Sequence, residues 1–409
     1  MNKKIAVVGG GAAGLMAAGE AARLGGDVTL FEKNEKLGRK IAITGKGRCN
    51  VTNLCSIGEF LSNVPTNPRF LYSALNYFSP EDCFAFFEDL GAGLKTERGK
   101  RVFPISERAF DIVDALKKFV KINKVKIKFA NTEKILTADK KITGLTAGGR
   151  EYFFDRVIIC TGGISYPGTG STGDGYRFAR EAGHRVTDLR ASLIPLEINE
   201  KFCRELEGLS LKNIKLYLYE NDIRIFEDMG EMLFTNFGIS GPLALSASSH
   251  IRDPAGKSYK IKLDLKPGLD WELLDRRILS DFEKYKNKDF KNSLGDLLPK
   301  KLIPVFLGIL DIGTERKING ITKGEREKLA RLLKNFEMGF KNFRPVEEAV
   351  ITCGGVDTNE IFSNKMESKL ISGMYFAGEV IDIDAYTGGF NLQIAFSTGK
   401  LAGKNAAEK

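Results

Sequence analysis

The stretch that decides the fold lies near the amino terminus, in residues 4–32, which read KIAVVGGGAAGLMAAGEAARLGGDVTLFE. Small and β-branched apolar residues follow Lys4 and run directly into three glycines, a pattern typical of a buried strand that ends in a tight turn. The stretch from Leu15 to Leu24 predicts a helix, and Asp27–Glu32 predicts a second strand. The order strand, glycine-rich turn, helix, strand indicates a βαβ unit and a parallel sheet.

The turn of this unit has the spacing Gly9-x-Gly11-x-x-Gly14, and Glu32 ends the following strand. Here the glycines permit a tight turn, close approach of a pyrophosphate to the helix N-terminus and close packing of the helix. A carboxylate at the end of the second strand accepts a hydrogen bond from a ribose hydroxyl and disfavours a 2′-phosphate. The motif therefore predicts a site for NAD or for the AMP half of FAD.

Composition indicates a folded, multidomain protein. The 409 residues suffice for two to three domains at roughly 150 residues each. Hydrophobic residues make up 43% and charged residues 28% of the chain, which excludes wholesale disorder and a membrane-embedded body. Lys and Arg number 62 against 52 Asp and Glu, a net charge of +10. This surplus suits a polyanionic partner, and it equally suits an organism with lysine-rich proteins.

The cysteines predict a reducing compartment. They have no CxxC spacing, so neither a zinc site nor a disulfide framework is expected. The first apolar run, Ile5–Val8, is too short for a secretion signal or a membrane span, and we therefore expect a cytoplasmic protein with no metal and no membrane partner. The six cysteines are Cys49, Cys55, Cys83, Cys160, Cys203 and Cys353.

A further strand-like run at 373–377 implies that the first domain closes with the last part of the chain and encloses a long insertion. The insertion begins with alternating strand patterns and continues with a helical period. One predicted apolar helix face in it is formed by Trp271, Leu274, Ile278, Leu279 and Phe282. We therefore predict an α/β fold with an inserted antiparallel β-barrel-like domain that itself carries a small helical domain. The predicted boundaries are 1–188 with 352–409 for the Rossmann-like domain, 189–265 with 344–351 for the barrel, and 266–343 for the helical part.

Two segments hold much of the basic charge. Residues 266–345 contain 18 Lys or Arg against 12 Asp or Glu, and residues 117–128 contain six lysines. A second literal match to the glycine motif, 168–173, follows no strand directly. We interpret it as an active-site loop rather than a second dinucleotide fold, so a nicotinamide donor has no domain of its own and must bind transiently.

Three later turns complete a cofactor-binding pattern. Thr161-Gly162-Gly163 and Ala377-Gly378-Glu379 each follow a predicted strand, and the run from Thr387 to Gln393 opens a helix. Each turn alone is compatible with an ordinary cap. In sequence order, however, they resemble the glutathione-reductase-type FAD proteins, in which a helix N-terminus stabilises the negative charge of a reduced flavin.

The most distinctive stretch is residues 38–53, GRKIAITGKGRCNVTN. It resembles the signature of the BaiN-like, or aminoacetone-oxidase-type, family of FAD-dependent oxidoreductases. Similar pieces occur along nearly the whole chain, at 166–175, 233–242, 352–356 and 378–393. The resemblance implies a flavin domain made from both chain ends, with an inserted barrel-like domain that carries a helical domain. Family activities include dihydrouridine formation in large-subunit ribosomal RNA, reduction of steroid-like enones, and aminoacetone oxidation.

The motifs and the resemblance together predict the cofactor-binding residues. Arg39, Lys40, Lys46 and Arg48 are expected to neutralise the FAD pyrophosphate or an incoming phosphate backbone, the alternative being a solvated loop. The predicted cofactor-binding set is Gly9, Gly11, Ala12, Ala13, Gly14, Glu32, Lys33, Gly38, Arg39, Lys40, Thr44, Gly45, Gly47, Arg48, Asn50, Thr161, Gly162, Gly163, Gly378, Glu379, Asp382, Gly388, Gly389, Asn391, Leu392 and Gln393.

Cys49 is the candidate catalytic residue, because a thiol can protonate one carbon of a double bond while a reduced flavin delivers hydride to its neighbour. The alternative is a small packing residue. Cys353 invites the same two interpretations, since Thr352-Cys353-Gly-Gly also has the pattern of a strand end. His184 follows a predicted helix end, where capping is the simpler role.

Three functions follow. The first is a reductase in which NADH or NADPH reduces FAD and the flavin reduces a C=C bond, with ribosomal RNA the favoured substrate and a small enone possible. The second is a flavin oxidase of a small amine that releases peroxide. The third is a flavin-stabilised RNA-binding factor without catalysis.

Overall fold

The computed structural model describes residues 2–408, except for the side chain of Lys46. The chain forms two compact units, one of residues 1–192 and 346–409 and the other of residues 193–345. In the described range, no helix combines the length and the apolarity needed to cross a bilayer.

The first unit contains the Rossmann-like part. Its helices are α1 (Ala12–Arg23), α2 (Arg39–Ile43), α3 (Ile57–Ser62), α4 (Tyr72–Tyr77), α5 (Pro80–Asp89), α6 (Ala109–Ile122), α7 (Asp174–Glu181) and, after the four helices of the second unit, α12 (Phe390–Ala407). Its strands are β1 (Lys4–Val8), β2 (Asp27–Glu32), β3 (Thr52–Asn53), β4 (Leu94–Glu97), β5 (Arg101–Pro104), β6 (Lys126–Phe129), β7 (Thr132–Ala138), β8 (Lys141–Ala147), β9 (Arg150–Phe153), β10 (Arg156–Ile159), β11 (Arg190–Ser192), β18 (Ile351–Cys353), β19 (Ile361–Phe362), β20 (Glu367–Ser368) and β21 (Met374–Phe376).

The second unit is built from the remaining elements. Its helices are α8 (Pro242–Ser248), α9 (Trp271–Lys284), α10 (Leu302–Leu310) and α11 (Lys323–Lys334). Its strands are β12 (Leu196–Ile198), β13 (Ser210–Glu220), β14 (Ile223–Thr235), β15 (Gly238–Ser240), β16 (Tyr259–Asp264) and β17 (Phe336–Phe343).

A seven-stranded sheet with the order β19-β20-β21-β10-β1-β2-β6 forms the core of the first unit. The strands from β21 to β6 are parallel, and Val7 of β1 lies opposite Ile158 of β10 and Leu30 of β2. β1 is apolar on both faces and buried, as expected for a central parallel strand. Since β21 comes from the end of the chain, the predicted Rossmann-like domain made from both chain ends is confirmed. Separate small sheets, β3-β5-β4, β7-β8-β9 and β11-β18, complete the unit.

Helices α1 and α12 pack closely because glycines on α12 face the backbone of α1. A Cβ on Gly399 would lie 2.4 Å from the carbonyl oxygen of Ala13, and one on Gly403 would lie 2.4 Å from that of Ala17. This spacing of four residues places both glycines on one helix face. The packing joins the first and last helices of the chain into one layer on the sheet.

The second unit is a closed antiparallel barrel with the strand order β12-β15-β14-β13-β16-β17. Pairing of β12 with β17 closes it, and Ile214, Leu216 and Leu218 alternate as buried residues along β13. The predicted barrel-like insertion is therefore confirmed.

The helical part of this unit is also present, although one predicted apolar face differs. On α9, Leu274, Ile278 and Phe282 are buried, whereas Trp271 and Leu279, which the sequence pattern predicts on the same face, are 51% and 42% exposed. Leu279 directly follows Ile278, so it lies about 100° further round the helix.

A Gly403→Ala variant tests the helix packing. We expect the free energy of unfolding to fall by about 1–3 kcal/mol, because the added methyl group overlaps the Ala17 carbonyl. Urea unfolding followed by circular dichroism measures the change. The matched control is Gly324→Ala on α11, where a Cβ meets no atom within 4 Å, and where alanine should be neutral or stabilising. Equal stability of the two variants would contradict the close approach of α1 and α12.

Candidate cofactor and active site

The turn between β1 and α1 has the shape that a pyrophosphate requires. A Cβ on Gly9 would lie 2.5 Å from the Cys160 carbonyl oxygen, and one on Gly14 would lie 1.8 Å from the Gly9 carbonyl oxygen. Above Gly11, by contrast, no atom lies within 4 Å of the Cβ position. Two glycines therefore pack the turn against the sheet, and the third borders open space.

The amino end of α1 presents free backbone donors to that space. Its first helical hydrogen bond runs from the Leu15 N–H to the Gly11 carbonyl at 3.0 Å. The amides of Ala12–Gly14 therefore have no acceptor within the helix, and no side chain caps them. Such an end binds a phosphate well, because the helix dipole adds to the hydrogen bonds.

Glu32 lies at the end of β2, as predicted, and is buried. Its Oε2 accepts a hydrogen bond of 2.7 Å from the Gly10 N–H, and its Oε1 accepts one of 2.8 Å from the Asn34 N–H. A carboxylate has about four lone-pair positions, so Glu32 can hold the glycine turn and still accept from a ribose hydroxyl.

The basic residues next to these motifs are paired with protein groups. Lys33 forms an ion pair of 2.7 Å with Asp174, and the Arg39 Nη1 donates to Asn34 Oδ1 at 2.7 Å. The Lys33 contact ties β2 to the 168–173 loop, because Asp174 begins α7 directly after it.

Arg48 has charged partners within the protein. Its guanidinium pairs with Glu97 and Glu107 and lies 4.2 Å from the centroid of the Phe103 ring. Two carboxylates neutralise this charge, so Arg48 fastens its loop to the β4–β5 hairpin. A contact between Arg48 and a phosphate stays a prediction. The side chain of Lys46 lies outside the described residues.

Lys40 forms a partly buried network with Glu379, which follows β21. The Lys40 Nζ lies 2.6 Å from Glu379 Oε2, while Ser165 Oγ and the Thr352 N–H donate to Oε1 at 2.6 and 2.9 Å. Burial opposes ionisation of Glu379, but Lys40 and these donors outweigh it and hold its pKa below the ordinary value. The ion pair joins the 38–53 segment to the turns that end β10 and β21.

A cradle lies at the amino end of α12, where Gly388 and Gly389 both have positive φ. A Cβ on Gly389 would lie 2.5 Å from the Thr52 carbonyl and 2.9 Å from Asn50 Oδ1. Asn50 Oδ1 is buried and has no hydrogen-bond partner among the described residues. The first helical bond here runs from the Gln393 N–H to the Gly389 carbonyl, so the amides of residues 390–392 are free of helical acceptors.

Two predicted residues of this helix support the cradle with their side chains. Asn391 accepts from the Ala385 N–H at 2.9 Å and donates to its carbonyl at 2.7 Å. Gln393 is fully buried and donates to the Phe78 carbonyl at 3.1 Å. Both hold the approach to α12 in place.

The predicted catalytic thiol, Cys49, is fully buried although its neighbours are glycine-rich. Its backbone has φ +59°, and burial raises the pKa of the thiol to about 12. A side chain without accessible surface contacts neither a substrate nor a cofactor, so the described geometry supports the packing interpretation for Cys49.

A polar group that the sequence did not predict surrounds Cys353. Its Sγ lies 3.7 Å from the Arg190 Nη2, and the Asp384 carboxylate lies beside it. Asp382, a predicted cofactor residue, is half-buried nearby, and burial raises its pKa. The signal available in the sequence was the Thr-Cys-Gly-Gly run, but the partners lie more than 25 residues away from it.

The described residues fit FAD. The space above Gly11 and the free amides of α1 suit its pyrophosphate, and the cradle at α12 with the unpartnered Asn50 Oδ1 offers polar contacts to a second ligand part. Fold and site thus define a flavoprotein whose Rossmann-type domain is formed by both ends of the chain.

Comparison with known families identifies the flavoprotein family to which the chain belongs. A family model described as HI0933-like protein Rossmann domain matches residues 3–405, and the chain belongs to this family of FAD-dependent oxidoreductases. It is 32% identical to a 3-dehydro-bile acid delta(4,6)-reductase of Clostridium scindens, covering 100% of each chain. It is also 32% identical to a ribosomal RNA dihydrouridine synthase of Haemophilus influenzae, covering 96% of this chain and 95% of the relative.

Solved structures agree on the fold. A 3-ketosteroid delta1-dehydrogenase from Sterolibacterium denitrificans superposes with a TM-score of 0.55 at 13% identity, over 99% of each chain. The family, the FAD cofactor and the oxidoreductase class predicted from the sequence are therefore confirmed. The identity of the electron donor stays a prediction.

A Gly11→Ala variant tests the pyrophosphate site. A methyl group here touches no protein atom, so the fold should persist while the space for the ligand shrinks. We expect at least about a tenfold loss of FAD affinity, measured by the ratio of flavin to protein absorbance after dialysis. Gly58→Ala, which also faces open space but lies on α3, should keep its full flavin content. Full flavin content in both variants would contradict the assignment.

A Lys40→Met variant tests the partly buried pair of Lys40 and Glu379. Glu379 would lose its counter-ion, and we expect the free energy of unfolding at pH 8 to fall by roughly 2–4 kcal/mol. Because the pKa of Glu379 is lowered in the folded wild type, the pair stabilises at neutral pH and its contribution is lost as pH falls through that pKa. The deficit of the variant should therefore shrink toward pH 4. The control Lys126→Met removes an exposed pair with Asp27 and should cost less than about 1 kcal/mol.

Proposed function

We propose that this protein is a reductase that adds hydrogen across an activated C=C bond, with NADH or NADPH as electron donor and a uridine of large-subunit ribosomal RNA as the favoured substrate. The observation that carries the proposal is the pair of full-length relatives. One is named for reduction of a bile acid and the other for formation of dihydrouridine in ribosomal RNA. Both names describe saturation of a ring double bond conjugated to a carbonyl group.

The site residues have distinct tasks in such a reaction. Bound FAD supplies the hydride for one carbon of the double bond. The amides of Ala12–Gly14 hold the pyrophosphate, and the amides at the start of α12 offer a positive dipole end to negative charge. The ion pair of Lys40 and Glu379 holds the 38–53 segment against the turn that follows β21.

RNA is favoured over a small enone by surface charge. Lys121, Lys124 and Lys128 are exposed around the end of α6 and along β6, and no ion pair joins them to another described residue. Much of the basic charge in the second unit is instead compensated, as Lys284, Lys286 and Lys291 each pair with a carboxylate. Unpaired lysines are available to phosphates, which release counterions on binding.

The other two functions weighed from the sequence have less support. An amine oxidase leaves the exposed lysines without a role, and a flavin-stabilised RNA-binding factor without catalysis would bind FAD but use none of its redox chemistry. Neither is suggested by the names of the relatives described above.

The decisive experiment combines cells and purified protein. Mass spectrometry of large-subunit ribosomal RNA should find one dihydrouridine fewer in cells that lack the gene, and the wild-type gene should restore it. The FAD-depleted Gly11→Ala variant should not. Unchanged dihydrouridine, together with reoxidation of the NAD(P)H-reduced protein by a conjugated steroid ketone, would replace RNA by a small enone. Peroxide release with an amine would overturn the reductase assignment.

The lysines supply a second arm of the same test. Replacing Lys121, Lys124 and Lys128 by alanine should weaken RNA binding and lower the slope of log affinity against log salt by about 0.7 per lost phosphate contact. The matched control replaces Lys284, Lys286 and Lys291, which removes the same charge from ion-paired positions. Equal effects of the two triple variants would contradict a specific role for the α6–β6 surface.

A further inference from the structure

Cys353 occupies the last position of the short strand β18. It pairs in antiparallel register with Arg190 of β11, and its Sγ lies 3.7 Å from the Arg190 Nη2. Of the six cysteines of the chain, all of which are described, five are buried and Cys353 alone is partly exposed. Its thiol is therefore the one that a molecule in solution can reach.

The backbone on both sides of Cys353 is fixed. On one side, Thr352 donates its N–H to Glu379 Oε1 at 2.9 Å, and its Oγ1 accepts from the Ile164 N–H at 2.8 Å. On the other side, a Cβ on Gly354 would lie 2.2 Å from the Asp188 carbonyl oxygen. The thiol is thus held against the turns that follow β10 and β21, at the carboxyl edge of the sheet where dinucleotide cofactors bind.

Asp384 links this thiol to the cradle at α12. It is only 1% exposed, and its Oδ2 accepts a hydrogen bond of 2.9 Å from Ser192 Oγ. Its Oδ1 is buried and has no hydrogen-bond partner among the described residues. The next residue, Ala385, is the one whose backbone Asn391 of α12 holds. One short segment therefore joins the neighbourhood of the thiol to the first turn of α12.

The electrostatic surroundings keep the thiol protonated. Burial and the facing carboxylate of Asp384 raise the pKa of Cys353 to about 11, with Asp382 acting in the same direction and Arg190 against it. A protonated thiol is a poor nucleophile and metal ligand. It can serve as a proton donor, and the adjacent guanidinium can stabilise the thiolate that results.

We propose that Cys353 is the proton donor for reduction of the substrate double bond, with Arg190 and Asp384 as positioning residues; this rests on the proposed function. FAD held at the amino ends of α1 and α12 would, once reduced, supply a hydride to one alkene carbon. The S–H bond of Cys353 breaks as a C–H bond forms at the adjacent carbon, so the alkene gains two hydrogens and the flavin is oxidised. The thiolate left beside Arg190 takes a proton from water through its exposed side.

Half-reactions of the flavin-loaded protein separate this step from cofactor binding. Cys353→Ala should retain its flavin content and its rate of flavin bleaching by NAD(P)H. Its reoxidation by a uridine-containing ribosomal RNA fragment or by a conjugated steroid ketone should fall by about 10²-fold or more, whereas reoxidation by oxygen should not change. Cys353→Ser should recover part of the rate. Cys49→Ala, which removes a fully buried thiol, should reoxidise at the wild-type rate if it folds.

A readout independent of turnover follows the thiol itself. The rate of alkylation of Cys353 by iodoacetamide, located by peptide mass spectrometry, should rise with pH toward a midpoint near 11 in wild type. The midpoint should move down by about one pH unit or more in Asp384→Asn.

The outcomes distinguish the two proposals. A wild-type protein that is reoxidised by neither substrate overturns the proposed function and this step with it. Wild-type reoxidation that Cys353→Ala matches overturns only the role of Cys353. An unreactive Cys353, or a midpoint that Asp384→Asn does not move, overturns the assigned surroundings of the thiol.

Discussion

The close approach of α1 and α12 is the constraint on which the flavin site depends. Gly399 and Gly403 face the carbonyl oxygens of Ala13 and Ala17 at distances that exclude a side chain. Both helices begin at glycine turns whose amides have no helical acceptor. Packing them together places two positive dipole ends in one domain, which suits a cofactor that carries a pyrophosphate and gains negative charge on reduction.

The described basic side chains of the 38–53 segment bind protein groups, whereas a loop rich in Arg and Lys suggests contacts to phosphates. The described cations of the 38–53 segment contact protein groups, with Lys40 on Glu379 and Arg48 on Glu97 and Glu107. Backbone amides are therefore the main donors offered to a pyrophosphate, and the basic side chains hold the loop that borders them. Positive charge without an ion-pair partner among the described residues is found instead on Lys121, Lys124 and Lys128, where a polyanion has access.

Cys49 and Cys353 both lie in glycine-containing segments, and burial distinguishes them. Cys49 follows Gly47 and Arg48 in a distinctive stretch, yet its side chain has no accessible surface. Cys353 precedes two glycines in a short run, and it lies partly exposed beside Arg190 and Asp384. Sequence spacing identifies both as candidates for proton transfer, and only the packing around each thiol distinguishes them.

The sequence by itself determined the elements whose signal is local. The Gly9 to Gly14 spacing, the acidic end of β2 and the apolar periodicity of the strands predicted the Rossmann-like domain, its closure by the end of the chain and the inserted barrel, because each depends on neighbouring residues. The tertiary structure alone decided the partners of the charged and catalytic groups. Lys40 and Glu379 are 339 positions apart, and Arg190 and Cys353 are 163 apart. Such pairs depend on how the sheet brings distant turns to one edge, and no local pattern encodes that.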